Sequence, residues 1–207
     1  MLGNHDKSRI ATRVGSSQAR VAAMLLLTLP GTLILYYGDE IGMTDVPIPF
    51  DEVRDPAEKN EPGIGLGRDP ERTPMPWDGS PLAGFTTARP WLLLGADHAV
   101  VNVESQELEQ VSILQLYRKL IALRRSYPTL VSGNIRAIAA ENDVLRFERI
   151  GIEDRILVLL NIGAGSAQSI VEAGTILLST EVNRDGEGVH GVVNLGGAEG
   201  LIIQLVG

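Results

Sequence analysis

Three short clusters hold the side chains able to do chemistry. In Gly3-Asn4-His5-Asp6, with Arg9 three positions on, an imidazole, a carboxylate and a guanidinium stand together at the start of a loop. These are groups that exchange protons and grip hydroxyls, although so short a motif serves equally as a surface turn or helix cap. In the second cluster, the apolar run Thr32 to Tyr37 delivers Gly38, Asp39 and Glu40 just past its end. Polar residues at the carboxyl end of a strand are the active face of a (β/α)8 barrel. The plainer reading is that Asp39 and Glu40 pair with nearby arginines and shape a rim, and for Glu40 it is preferred. The third cluster runs from Gly67 to Asp78, where Pro74 and Pro76 stiffen a turn beside Arg68, Arg72 and Trp77. Stiffness suits an arginine presented to a sugar hydroxyl or a carboxylate; the alternative is a structural arginine and a packing indole. Asp45, Asp51, Asp55 and Glu58 form a weaker set, because calcium needs six to eight convergent oxygens and acidic proline-rich loops are usually solvated. The site therefore carries no metal in this reading, and no cofactor.

These clusters need elements to hold them. Ser16-Ser17 can cap a helix over residues 18–29, apolar nearly all round and stopped by Pro30-Gly31. Thr32 to Tyr37 then reads as a strand buried on both faces, as in parallel sheets. From Thr44 to Glu104 periodicity disappears, and nine of the eleven prolines fall there, marking one long excursion. Its aromatics Phe50, Trp77, Phe85 and Trp91 argue for a packed loop that covers a site, against a decorative insertion. A helix over 105–126 places Val111, Leu114, Tyr117, Leu120 and Ile121 on one face, ends in Arg124-Arg125, and is stopped at Tyr127-Pro128. Beyond Gly133 come short strands at 135–139, 144–148, 155–160, 175–180, 189–195 and 201–206, which imply a small antiparallel sheet or sandwich. The shift in pattern near 128–133 separates residues 1–130 from 131–207.

Composition narrows the partners. A net charge of -8 with scattered basic residues disfavours nucleic acid and anionic membranes. The longest apolar stretch, Val21 to Tyr37, is broken by Pro30-Gly31 and falls short of a membrane span, and the polar start shows no secretory signal. With no cysteine, thiolate metal sites and disulfides are excluded, and the cytoplasm is the expected compartment.

Taken in order, the three clusters resemble the α-amylase superfamily, glycoside hydrolase family 13, and within it the α-glucosidase and oligo-1,6-glucosidase members. Asn4-His5-Asp6 looks like the motif ending the seventh barrel strand, and residues 31–43 look like the eighth strand and its exit. Arg68 to Asp78, followed by Ala83-Gly84-Phe85-Thr86-Thr87 and Pro90-Trp91, resembles the long loop after it. The resemblance implies the last strands and helices of a (β/α)8 barrel over 1–130, then a C-terminal β-sandwich over 131–207. It implies that Asp6 is the third catalytic carboxylate, binding sugar hydroxyls and distorting the ring, and that His5 hydrogen-bonds the same sugar. Arg72 or Arg68 closes the pocket around the non-reducing glucose, Arg9 is counted with the substrate-binding set, and Tyr36, Tyr37 and Glu40 support the rim. The substrate would be an α-glucosidic oligosaccharide or disaccharide.

Retaining hydrolysis needs a carboxylate nucleophile and a carboxylic acid about 5–5.5 Å apart. In the family these stand on the fourth and fifth strands, and neither is assignable here. The expectation is a fragment of a retaining α-glucosidase, inactive and poorly soluble alone. The alternative is a non-catalytic accessory or scaffolding homologue acting through its β domain.

Overall fold

In a computed structural model, residues 2–181 and 183–206 are described; Met1, Val182 and Gly207 lie outside the described residues. The chain groups into two compact units, Met1–Ser16 with Ile34–Gln115, and Ser17–Leu33 with Leu116–Gly207. Helix α1 (Ile10–Thr28) is interrupted at Gly15, whose φ of 80° and ψ of 162° are not helical. The uninterrupted part therefore begins at Ser16-Ser17, where the sequence places its start.

In the first unit, the excursion carries short 3-10 turns at Asp39–Ile41 and Phe50–Glu52 and the helices α2 (Pro56–Asn60) and α3 (Val103–Leu108). Its backbone is tied by local bonds, such as Trp77 N–H to Ala83 O at 2.8 Å and Val103 N–H to Pro76 O at 3.1 Å. Ile41, Met43, Met75 and Leu114 form a small core beneath it.

The helix expected over 105–126 is two. α3 is capped by Asn102, which accepts from Ser105 N–H at 2.8 Å, and α4 (Ile113–Ser126) follows a break at 109–112. Ser112 Oγ accepts from Gln115 N–H and donates to Gln106 O, so a polar cap replaces a turn of helix. Val111, expected on the buried face, is exposed.

In the second unit, residues 17–28 of α1 bury Ala19, Val21, Ala23, Met24, Leu26 and Leu27, as an all-round apolar helix must. α5 (Pro128–Ser132) leads into β1 (Asn134–Glu141), β2 (Val144–Ile150), β3 (Arg155–Asn161), β4 (Ala167–Ser179), β5 (Gly188–Leu195) and β6 (Gly200–Leu205). They form one antiparallel sheet in the order β1-β2-β3-β6-β4-β5, not two stacked sheets. Arg146 of β2 nevertheless donates to Ile170 O of β4 at 3.1 Å, although two strands separate them in that order, so the sheet curls on itself. Central β3 is buried from Ile156 to Leu160. On its other face Gly200 fits under Met24 of α1, where a side chain would strike the sulfur.

Two arginines, Arg124 of α4 and Arg149 of β2, converge on the end of α1. Arg124 Nη1 donates to Leu27 O, Leu29 O and Leu130 O at 2.9, 2.9 and 2.7 Å, and Arg149 donates to Thr28 O, Leu130 O and Gly133 O. Leu27 O, Thr28 O and Leu29 O lie at the end of α1, and Leu130 O and Gly133 O at the end of α5, where carbonyls lack helical partners and cations belong.

The strand expected over 32–37 has no partner within the described residues. Residues 32–36 lie in neither helix nor strand, Tyr37 starts a turn, and Ile34, Leu35 and Tyr37 are exposed. A strand buried on both faces needs neighbours on both edges, and the only sheet described is antiparallel and formed by β1–β6.

Candidate active site

The turn bearing Asp6 is built locally. Asn4 and Lys7 form an isolated antiparallel bridge, and Asn4 Oδ1 accepts from Asp6 N–H at 2.9 Å, an Asx turn. Gly3 enters the turn against the buried Asp39 carboxylate; a Cβ on it would come within 2.9 Å of Asp39 Oδ2. After the turn, the Asp45 carboxylate accepts from Ser8 Oγ and, at 2.8 Å, from Arg9 N–H.

Both arginines of the excursion converge on Asp6. Arg72 Nη2 stands 3.0 Å and Arg68 Nη1 3.2 Å from Asp6 Oδ1, while His5 Nε2 is 3.3 Å from Oδ2. Arg72 Nε also donates to His5 O at 2.7 Å. Partial desolvation raises the Asp6 carboxyl, but the hydrogen bond from Arg68 and the charges of His5, Arg68 and Arg72 prevail and hold it below its ordinary value. Asp6 is thus an ionised acceptor, still open enough to meet a hydroxyl-bearing ligand.

Arg9 does not join this group. It is fully buried, with Nη1 on Tyr37 O at 2.6 Å and its guanidinium 5.0 and 4.8 Å from the Tyr36 and Tyr37 ring centres. The sequence spacing was right, but the helix that begins at Ile10 turns this side chain inward. The tyrosines pack edge to face and bond the excursion backbone: Tyr36 OH to Glu71 O at 3.1 Å, Tyr37 OH to Thr73 O at 2.7 Å.

Arg72 also borders a cavity of about 440 Å³ walled by Tyr37, Trp77, Phe85, Trp91 and Leu92. Three of the four excursion aromatics, Trp77, Phe85 and Trp91, therefore line a concavity that Arg72 borders, and Phe50 does not. Glu40 lies on the cavity's edge.

Sequence reasoning missed Asp55 as part of the site. Its side chain is fully buried and takes a two-pronged bond from Arg68, Nε to Oδ2 at 2.7 Å and Nη2 to Oδ1 at 3.3 Å. Nothing in the local sequence around Asp55 announces a partner thirteen residues away. Three of the four acids weighed as a metal set spend their oxygens otherwise: Asp45 on Ser8 and Arg9, Asp55 on Arg68, Glu58 on the amides of Gly63 and Gly67. Among the described residues, no group of three His, Cys, Asp or Glu side chains could hold a metal ion. No helix among them is long and apolar enough to cross a membrane.

Known proteins resemble this chain in sequence and fold. Residues 1–133 match the family described as "Alpha amylase, catalytic domain". Maltase A1 of Drosophila melanogaster is 37% identical over 171 residues, 80% of this chain and 30% of that protein. The amino acid transporter heavy chain SLC3A1 of Rattus norvegicus is 36% identical over 99% of this chain and 30% of its own length. A crystal structure of the trehalulose synthase MutB superposes with a TM-score of 0.88 at 26% identity, covering 99% of this chain and 42% of that one. The chain thus spans about 30% of the first two relatives, and it belongs to the α-amylase family.

Proposed function

We propose that this chain is the carboxy-terminal part of a retaining α-glucosidase that releases terminal α-linked glucose from short oligosaccharides or disaccharides. The observation that carries the reading is the convergence of Arg68 and Arg72 on the ionised Asp6. On this reading residues 1–130 complete a (β/α)8 barrel, with 32–37 as its last strand, and 131–207 follow as the β domain. Asp6 accepts hydrogen bonds from sugar hydroxyls, and its negative charge favours the oxocarbenium-like transition state. His5 contributes a further bond to the same sugar. Arg68 and Arg72 hold Asp6 charged and oriented; Arg9 supports the turn from inside. The nucleophile and general acid belong to other strands, so the 207 residues alone are expected to be inactive.

The test is release of an aryl aglycone from an α-glucoside by the isolated chain and by the longer protein containing it. Turnover by the longer protein alone is expected, and Asp6→Asn there should lower kcat/KM on the order of 10²–10³-fold. Robust turnover by the isolated chain, or an unaffected Asp6→Asn variant, defeats the proposal.

A second reading is favoured by the rat transporter heavy chain, which aligns over 99% of this chain. On it the protein is a non-catalytic accessory subunit. The residues at the ends of the fourth and fifth strands of the longer protein decide: two carboxylates support the glucosidase, their absence the accessory role.

A further inference from the structure

Arg68 and Arg72 touch the same oxygen of Asp6, yet they are held differently. The Nε edge of Arg72 is fixed by the turn itself, through His5 O at 2.7 Å. The matching edge of Arg68 points away from the turn, into the two oxygens of Asp55 at 2.7 and 3.3 Å. Asp55 also accepts Arg68 N–H at 3.0 Å and Ala57 N–H at 3.0 Å, so it grips both the backbone and the side chain of Arg68. Four donors on one carboxylate leave it no freedom to turn.

Asp55 is itself anchored. The neighbour of Arg68, Asp69, accepts from Arg54 N–H at 2.5 Å and from Asp55 N–H at 2.8 Å. Segments 54–57 and 67–69 therefore hold each other reciprocally, each supplying a buried carboxylate to the other's amides. Gly67 N–H adds a bond to Glu58 Oε2 at 3.1 Å. The result is a rigid bracket with one free edge, Arg68 Nη1, aimed at Asp6.

We propose that Asp55 is a positioning residue for the reaction, acting through Arg68: it presets the guanidinium so that Nη1 meets Asp6 before any sugar arrives. A planar fork suits this because its two edges lie in one plane, so locking one edge aims the other. The hydrogen bond and charge of Arg68 hold the Asp55 carboxyl far below its ordinary range, so the pair stays ionised across the working pH span of most hydrolases. The proposal rests on the glucosidase reading for its effect on turnover, but not for the bracket.

Two measurements test it. In the longer protein, Asp55→Asn keeps an oxygen for the Ala57 amide but offers an NH2 where Arg68 donates. It is expected to lower kcat/KM about 10²-fold, the scale of a misplaced catalytic group. Combined with Arg68→Ala, it should cost nothing beyond Arg68→Ala alone, because Asp55 acts only through that side chain. Losses that multiply across the two sites would overturn the proposal, since a merely structural Asp55 would give that result. In the 207-residue chain, the Arg68 Nε–H resonance should stand apart from the other arginines in the wild type and fall among them in Asp55→Asn. An unmoved resonance would also overturn it. This second arm decides the bracket even if the longer protein hydrolyses no glucoside. Should Asp55→Asn not fold, Arg68→Lys carries the test: an ammonium keeps the charge but cannot span two carboxylates, and wild-type turnover would refute the proposal.

Discussion

Replacing Arg149 by methionine asks whether a buried cation without an acidic partner stabilises the fold or burdens it. Arg149 is fully buried, and its bonds go only to carbonyls: Thr28 O, Leu130 O at 2.7 Å and Gly133 O at 2.7 Å. Burial lowers its pKa, and the nearby Arg124 lowers it further. In Arg149→Met, Leu130 O keeps its bond from Arg124, but Thr28 O and Gly133 O lose theirs. Two orphaned acceptors cost about 1–3 kcal/mol each. Against this, the variant removes a buried charge, its repulsion from Arg124 and an Nε–H without a partner, gains that offset part of the loss. The carbonyls should win, because they include the end of α1, where the helix dipole favours a cation. We expect a net loss of about 3 kcal/mol, equivalent to a fall of roughly 12–20 °C in the unfolding midpoint of a unit this size. Thermal unfolding followed by far-ultraviolet circular dichroism reads it. An unchanged or raised midpoint would mean that charge burial outweighs the carbonyl bonds, and the argument for Arg149 as a brace would fail.

Asp39 gives a prediction with the opposite sign. Burial raises its carboxyl to about 6, opposed by Arg9 and Arg13 and assisted by Glu40, so below about pH 4 this group imposes no penalty on folding, and the penalty grows as pH rises through 6. Asp39→Asn should therefore be more stable than the parent at pH 7.5, by at most about 3 kcal/mol, with the difference gone below pH 4. Parallel pH–stability curves for the two proteins would show that Asp39 is not strained by its charge. Gly38→Ala should lose more than about 2 kcal/mol, because φ is 86° and the new Cβ would meet Met43 Sδ and come within 2.7 Å of Arg9 Nη1. A calorimetric midpoint within the error of the parent's would refute the crowding argument.

Much of this was legible because it is local. Period-two runs announced five of the six strands closely, and Pro30-Gly31 and Tyr127-Pro128 stopped helices where such pairs must. The first half of β4 was hidden by the polar Gln168 and Ser169 and by a register shift at Val171/Gly174 that breaks its alternation. The split between α3 and α4 depends on Ser112 and Gln106 bonding across the break, a choice that apolar periodicity does not record. At the site, the motif delivered His5, Asp6, Arg68 and Arg72, which the structure brings together. It misplaced Arg9, because spacing along the chain says nothing of which way a helix start faces. It passed over Asp55 as a lock for Arg68, because that role exists only once residues 55 and 68 are folded together.

The unpaired backbone from Thr32 to Leu35 has a consequence for handling the protein. Main-chain donors and acceptors flanked by exposed Ile34 and Leu35 will accept almost any incoming ribbon of matching direction, since backbone pairing is indifferent to sequence. A concentrated solution should therefore coalesce through this stretch first. A polypeptide added in trans to cap it would act as a stopper, keeping the chains apart without touching Asp6.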